Sequence, residues 1–160
     1  MTGIVTVRCD TVAATEQCAA VLARHAAPGH LVVLQGGLGA GKTTFAKAYA
    51  AALGVDAPVT SPTYTLVHHY RCGAHAPVGV LLHADLWRLR GAGEVADLAL
   101  DEGLDDGAAA IVEWGDRFDV ATGRAHTVVT FHVLDEDTRD LVIDLTHASL
   151  PDAVRDELAR

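Results

Sequence analysis

The chain has 160 residues, 12 Lys+Arg against 21 Asp+Glu, and a formal net charge of −9. Half its residues are hydrophobic and 21% are charged, which suits a globular chain with a real core and argues against bulk disorder. The acidic balance argues against strong stand-alone nucleic-acid binding, which relies on clustered Lys and Arg.

Gly3 to Cys9 is rich in β-branched residues and predicts a strand. Asp10 is the expected N-cap of a helix over about residues 11–27, ended by Pro28-Gly29. Leu31 to Leu34 is a continuous apolar run, as in a central parallel strand covered on both faces. A glycine-rich turn (36–41) and a helix from about Lys42 to Leu53, closed by Gly54, follow. After Ser61-Pro62-Thr63 comes the β-rich Tyr64 to Val67, then a turn over 72–77 into a strand from Val78 to Leu82, which together predict a hairpin. A helical stretch near 93–100 precedes a third buried strand, Ala109 to Val112. Two late strands, about 127–134 and 140–145, flank the acidic turn Asp135-Glu136-Asp137 and are expected as a hairpin added to one edge of the sheet. The fold class is α/β: residues 1–150 read as a single domain with a mixed central β-sheet flanked by helices. Residues 151–160 read as a C-terminal tail with a helical pattern.

No run of about 18 apolar residues predicts a membrane span, and Met1 to Asp10 lacks the basic-then-apolar order of a secretory signal. The expected location is cytoplasmic. Cys9, Cys18 and Cys72 have neither metal-ligand spacing nor even pairing and read as buried thiols. The nine histidines are scattered and read as structural or surface residues; His68 and His69 would point to opposite faces of a strand.

Gly36-Gly37-Leu38-Gly39-Ala40-Gly41-Lys42-Thr43 matches G-x-x-x-x-G-K-[ST] in full, preceded by a strand and followed by a helix. At this chain's own composition a chance match is about two in a thousand. Glycines let backbone N–H groups curl around phosphate oxygens, and the helix aims its positive end at the same anion. Gly36, Gly39, Ala40, Gly41, Lys42, Thr43 and Thr44 are therefore the expected nucleotide-binding set, with Lys42 on the β- and γ-phosphates and the Thr43 hydroxyl on Mg²⁺. Lys42 is one of only two lysines; the other is Lys47.

Mg²⁺ needs carboxylate help, placed in P-loop folds at the end of a neighbouring buried strand. Asp85 follows Val80 to Ala84, and Glu113 follows Ala109 to Val112. Each alone reads equally as a solvated strand end; together they suit a metal-and-water site, one holding the metal's hydration shell and the other orienting the attacking water. Ser61-Pro62-Thr63 is either a plain Ser-Pro turn or a loop that senses the γ-phosphate through a hydroxyl, with Thr63 in that role. Trp114 either packs on the nucleotide or fills the core.

In order, residues 36–44, Ser-Pro-Thr-Tyr-Thr-Leu-Val (61–67), His-Ala-Asp-Leu-Trp-Arg (83–88) and Val-Glu-Trp (112–114) resemble the TsaE (YjeE) family, small bacterial ATPases needed to make threonylcarbamoyladenosine on tRNA. The resemblance runs from about residue 10 to 145. It implies ATP and Mg²⁺ as cofactors and a cytoplasmic complex with TsaB and TsaD. It points to Thr43, Asp85 and Glu113 as metal-associated. Thr15 and Arg139 match nucleotide-proximal positions of the family and enter on the resemblance alone. The chain departs from the family at Gly37, usually Asp or Glu; at Ala84 and Trp87, usually Phe and Tyr; and at Gly115, usually Pro.

The leading expectation is an ATP-binding and hydrolysing accessory protein, with Lys42, Asp85 and Glu113 carrying catalysis and tRNA reached only indirectly. A nucleotide-dependent assembly scaffold with negligible hydrolysis and a P-loop small-molecule kinase are the alternatives. A kinase usually needs a lid supplying several arginines, whereas the arginines here are dispersed.

Overall fold

The apolar runs become strands and the amphipathic segments helices in the computed structural model, which describes residues 3–62, 66–120 and 123–160. In chain order these are β1 (Ile4–Cys9), α1 (Val12–Arg24), β2 (Leu31–Gly36), α2 (Lys42–Ala52), β3 (Val67–Arg71), β4 (Val80–Asp85), α3 (Ala92–Asp97) and α4 (Leu100–Asp105). There follow β5 (Ala109–Glu113), a 3₁₀ turn (Gly115–Arg117), β6 (His126–Val133), β7 (Arg139–Asp144) and α5 (Ala153–Leu158).

The strands form one mixed sheet in the order β1-β7-β6-β2-β5-β4-β3. β6, β2, β5 and β4 are parallel, while β3 pairs antiparallel with β4 and β1 with β7. β3 and β4 do form a hairpin, as expected, but its strands lie later in the chain. The first is Val67–Arg71 rather than Tyr64 to Val67, and the second Val80–Asp85 rather than Val78 to Leu82. Tyr64 and Thr65 lie outside the described residues. The β6–β7 hairpin is not added to an edge, as the sequence suggested. β6 lies inside the sheet, parallel to β2 from Leu31↔His126 to Gly36↔Phe131, and β1 takes the edge. The reason lies in the faces: Thr127, Val129 and Phe131 are buried, while β1 leaves Ile4, Thr6 and Arg8 less covered.

Two boundaries also move. Helix α1 starts at Val12, so its N-cap is Thr11 rather than Asp10, and the Thr11 hydroxyl accepts from Ala14 N–H at 3.1 Å. The helical stretch near 93–100 is two short helices broken at Ala99, whose φ is +55°. At the end of α2, Gly54 takes φ +73°, as expected of a residue just past a helix.

The sheet separates two cores, and strand periodicity decides which residues face which. Val32, Leu34, Leu81, Ile111 and Val129 pack with Leu22 of α1, Phe45 and Tyr49 of α2 and Val154 of α5. Leu31, Val33, Leu82, Ala110 and Val112 pack on the other side with Leu100 and Leu104 of α4. On β4 and β5 the residues in step with Leu81 and Ile111 are His83, Asp85 and Glu113. All three therefore face the α2 side of the sheet, where the glycine-rich loop enters its helix.

Candidate functional site

β2 ends at Gly36, and the loop reaches α2 through Gly39 and Gly41, whose φ values are +73° and +110°. That left-handed region is strained for side-chain-bearing residues. A Cβ at Gly37 or Gly39 would meet nothing within 4 Å, so the loop presents an open backbone surface. Gly41 caps α2 without a side-chain hydrogen bond, leaving N–H groups of the first turn available to an anion. Lys42 is buried, and its ammonium donates to the carbonyls of Gly36 at 2.9 Å and Gly37 at 2.7 Å. It also sits 3.7 Å from the centroid of the Trp114 ring. Burial lowers the Lys42 pKa, with Glu113, Asp116 and Asp85 pulling the other way.

The two carboxylates meet this loop from neighbouring strands. Asp85 and Glu113 are partners in the β4–β5 register. The Thr43 hydroxyl donates to Glu113 Oε1 at 2.6 Å, which leaves its oxygen lone pairs available to a cation. His83 Nε2 lies 2.6 Å from Glu113 Oε2. Ser61 Oγ donates to Asp85 Oδ2 at 3.1 Å, and the Trp87 backbone N–H donates to Asp85 Oδ1 at 2.9 Å.

These groups open on one cleft of about 320 Å³. Gly39, Ala40, Gly41, Lys42, Thr43 and Thr44 form its floor, with Ser61, Asp85, Glu113 and Trp114 around them and Leu38 and Trp87 at the rim. Among the described residues no three His, Cys, Asp or Glu side chains converge on one metal position. The donor set is instead two carboxylates and a hydroxyl, all oxygen. That suits Mg²⁺, which keeps waters and takes its remaining ligands from phosphates.

A family model for the threonylcarbamoyl adenosine biosynthesis protein TsaE matches residues 9–141. The chain belongs to the TsaE family. It is 34% identical over 127 residues to the tRNA threonylcarbamoyladenosine biosynthesis protein TsaE of Bacillus subtilis, covering 79% of this chain and 77% of that one. To the Streptomyces coelicolor protein of the same description it is 43% identical over 97 residues, or 59% and 63% of the two chains. A crystal structure of Bacillus subtilis YdiB superposes with a TM-score of 0.72 at 25% identity, covering 100% of this chain and 97% of that one. The fold is thus an α/β P-loop NTPase fold with a mixed sheet.

Within this TsaE-family chain, the other residues singled out from the sequence fall in three places. Gly36 stands just behind the cleft and enters it through its carbonyl on Lys42. Thr15 and Arg139 do not line the cleft; both lie beside Cys9. There, Arg139 Nη1 would lie 3.7 Å from a Cβ on Gly41, and Cys9 is the β-sheet partner of Arg139. The neighbouring Cys18 thiol, 4.0 Å away, lowers the pKa of the Cys9 thiol, with Thr15 and Arg139 contributing. Thr63 lies outside the described residues. Trp114 is partly buried against the α4-side core, its ring tilted by 39° to that of Trp87 with centroids 4.4 Å apart, and it lines the cleft.

The departures from the family leave the polar groups of the site in place. The space at Gly37 is open, so no steric reason excludes an acid there. Ala84 is buried on the α4 side, away from the cleft, and Trp87 builds the aromatic rim. Gly115 is packed so closely that a Cβ would overlap Val33 Cγ1.

Sequence reasoning missed His83, reading it as one more scattered histidine. The signal was present: two residues before Asp85 on a strand, it must share that residue's face. The Ser61–Asp85 bond was missed because it joins segments 24 residues apart through an irregular loop.

Proposed function

We propose that this chain binds ATP with Mg²⁺ and hydrolyses it as an accessory protein of tRNA threonylcarbamoyladenosine biosynthesis, acting in the cytoplasm with TsaB and TsaD. The observation that carries this reading is the convergence of Lys42, Thr43, Asp85 and Glu113 on one cleft at the ends of β2, β4 and β5. An activity without such convergence would need only the phosphate loop.

The roles follow from the atoms. The loop N–H groups and the start of α2 bind phosphate oxygens. Lys42 exchanges its two carbonyl acceptors for phosphate oxygens, a stronger charge-assisted contact. Thr43 donates its hydroxyl hydrogen bond to Glu113 and would offer its oxygen to Mg²⁺, and Asp85 would hold a metal-bound water or the metal itself. Mg²⁺, when bound, would neutralise charge on the β- and γ-phosphates. Glu113 takes its orientation from Thr43 and His83 and sits where a carboxylate can order an attacking water.

The net charge of −9 supports a role in which tRNA is reached through the partner proteins rather than gripped directly. No helix among the described residues is long and apolar enough to cross a membrane. The exposed Leu38 and Trp87 at the rim are 82% and 48% accessible, as befits a cleft that a partner closes.

The test is phosphate release from ATP by the purified chain, alone and with TsaB and TsaD. Release that rises strongly in the complex is the expected result. Tight ATP-dependent assembly without release would replace the reading with the scaffold, and a phosphorylated small acceptor would replace it with a kinase.

A further inference from the structure

His83 is the only buried histidine of the described residues that touches the candidate site. It is 1% exposed and Glu113 is 2% exposed, so this contact is sealed from solvent. An isolated buried carboxylate is costly, and each Glu113 oxygen has one donor: Thr43 on Oε1 and His83 on Oε2, both at 2.6 Å. The ring nitrogen facing a carboxylate must carry a proton, so Nε2 is the donor whatever the charge of the ring. Nδ1 is buried and has no hydrogen-bond partner among the described residues. The ring is therefore held by one polar contact, and that contact fixes one Glu113 oxygen.

We propose that His83 is a positioning residue: its Nε2–H clamps Glu113 Oε2 and thereby turns Oε1 onto the Thr43 hydroxyl. The inference rests on the nucleotide reading above and adds to it a residue that touches neither phosphate nor metal. Without the clamp, the Glu113 side chain keeps only the Thr43 contact. Its remaining torsions are then free to swing it off the line that orders Thr43, and the hydroxyl loses its fixed acceptor. A loop that still binds phosphate would no longer hold the metal position or the water in register. A histidine that merely fills space on the α2 side of β4 would lack this consequence.

Side-chain geometry supplies a clean test. A glutamine amide nitrogen lies as many bonds from Cα as histidine Nε2, whereas an asparagine amide nitrogen matches Nδ1. His83→Gln keeps the donor where Glu113 needs it; His83→Asn keeps a polar amide and places it too short; His83→Leu removes it. Each variant is measured for ATP affinity with Mg²⁺ and with a chelator, for kcat and KM in the assembled complex, and for thermal unfolding. The gain in ATP affinity on adding Mg²⁺ should fall at least about fivefold in the Asn and Leu variants and stay within about twofold in Gln. In the complex, kcat should drop at least about tenfold in Asn and Leu with KM changed less than threefold, and Gln should recover most of it.

Equal behaviour of Gln and Asn in both readouts overturns the proposal, as does a loss confined to thermal stability. The comparison survives destabilisation because Gln and Asn bury the same amide. If the unaltered chain releases no phosphate in the complex, the hydrolysis reading fails. The Mg²⁺-dependent affinity gain then still decides the fate of the clamp.

Discussion

Asp85 and Glu113 stand opposite each other as the last paired residues of two parallel strands, β4 and β5, and both face α2. Their separate engagements divide the labour. Glu113 is buried and has both oxygens occupied by Thr43 and His83, whereas Asp85 is held more loosely by Ser61 and a backbone N–H at the mouth of the cleft. Two carboxylates on adjoining strands repel in a dry site, and in the proposed nucleotide-bound state a divalent cation held beside them would relieve that repulsion.

Glu113→Gln should therefore separate binding from turnover. The amide keeps the shape of the side chain but offers the Thr43 hydroxyl one acceptor and places an N–H donor against His83 or Thr43. ATP affinity should change less than threefold, while phosphate release by the assembled complex should fall about 100-fold or more, the usual scale for losing a positioned acid–base group. Calorimetric titration and a phosphate-release assay on the same preparation check both halves. Turnover that survives would remove Glu113 from the reaction.

Lys42→Ala makes the converse prediction. In the ligand-free chain the ammonium is buried and desolvated, which lowers its pKa, so removing it costs folding little. Toward a triphosphate it supplies the only lysine among the described residues of the cleft. Loss of charge-assisted contacts each worth about 1.5–3 kcal/mol should weaken ATP binding by at least tenfold. The thermal midpoint of the ligand-free variant should stay within a few degrees of the parent. A parallel fall in stability would show that Lys42 acts as a brace for the loop carbonyls of Gly36 and Gly37 instead.

Much of this is legible in the amino-acid sequence. Leu31 to Leu34 and Ala109 to Val112 are continuous apolar runs because both of their faces are covered, and the phosphate loop follows from glycine spacing alone. Strand-end position was enough to select Asp85 and Glu113. What escaped was set by long-range geometry. The place of β6 beside β2 depends on which strand leaves polar residues for solvent, and no local pattern ranks β1 against β6 for the edge. The His83–Glu113 and Ser61–Asp85 contacts join residues 30 and 24 positions apart, and only the assembled sheet brings them together. Thr11 rather than Asp10 caps α1 because two good capping residues are adjacent and the chain selects one by where the helix begins.

His30 predicts how stability responds to acid. It is buried at the start of β2 with Nε2 3.0 Å from the Thr127 hydroxyl, and burial, with His126 nearby, pushes its pKa down from 6.5 to about 4. The folded chain thus keeps His30 neutral while the unfolded chain takes up a proton as pH falls below 6.5. Stability is full above that value and declines toward pH 4, at up to about 1.4 kcal/mol per pH unit. The lowered carboxylates Asp135, Asp140, Asp144 and Glu157 also lose stability on acidification, but they do so as the pH falls through and below the ordinary carboxylate range. The interval from 6.5 to about 5 therefore reports chiefly on histidine. Urea midpoints of the parent and of His30→Gln, which does not titrate, should converge as pH falls through that interval. Parallel curves would assign the acid sensitivity elsewhere.

Gly115 predicts a packing limit that the family resemblance would not suggest. Family members usually carry proline at this position, yet here the residue follows Trp114 in a left-handed conformation, with φ +61°, and is buried against β2. A Cβ on Gly115 would overlap Val33 Cγ1 and lie 3.5 Å from Val120 Cγ2. Gly115→Ala should destabilise the chain by about 1–3 kcal/mol, the cost of forcing an extra carbon into a filled core. Trp114 would shift with it, since the two residues share the turn that holds the indole against Lys42. Val33→Ala alone should also destabilise, by opening a small cavity. The double variant should be less unstable than the two losses summed, because the methyl added at 115 enters the space vacated at 33. Denaturant midpoints of the four proteins complete the cycle, and strict additivity would place the overlap elsewhere than at Val33.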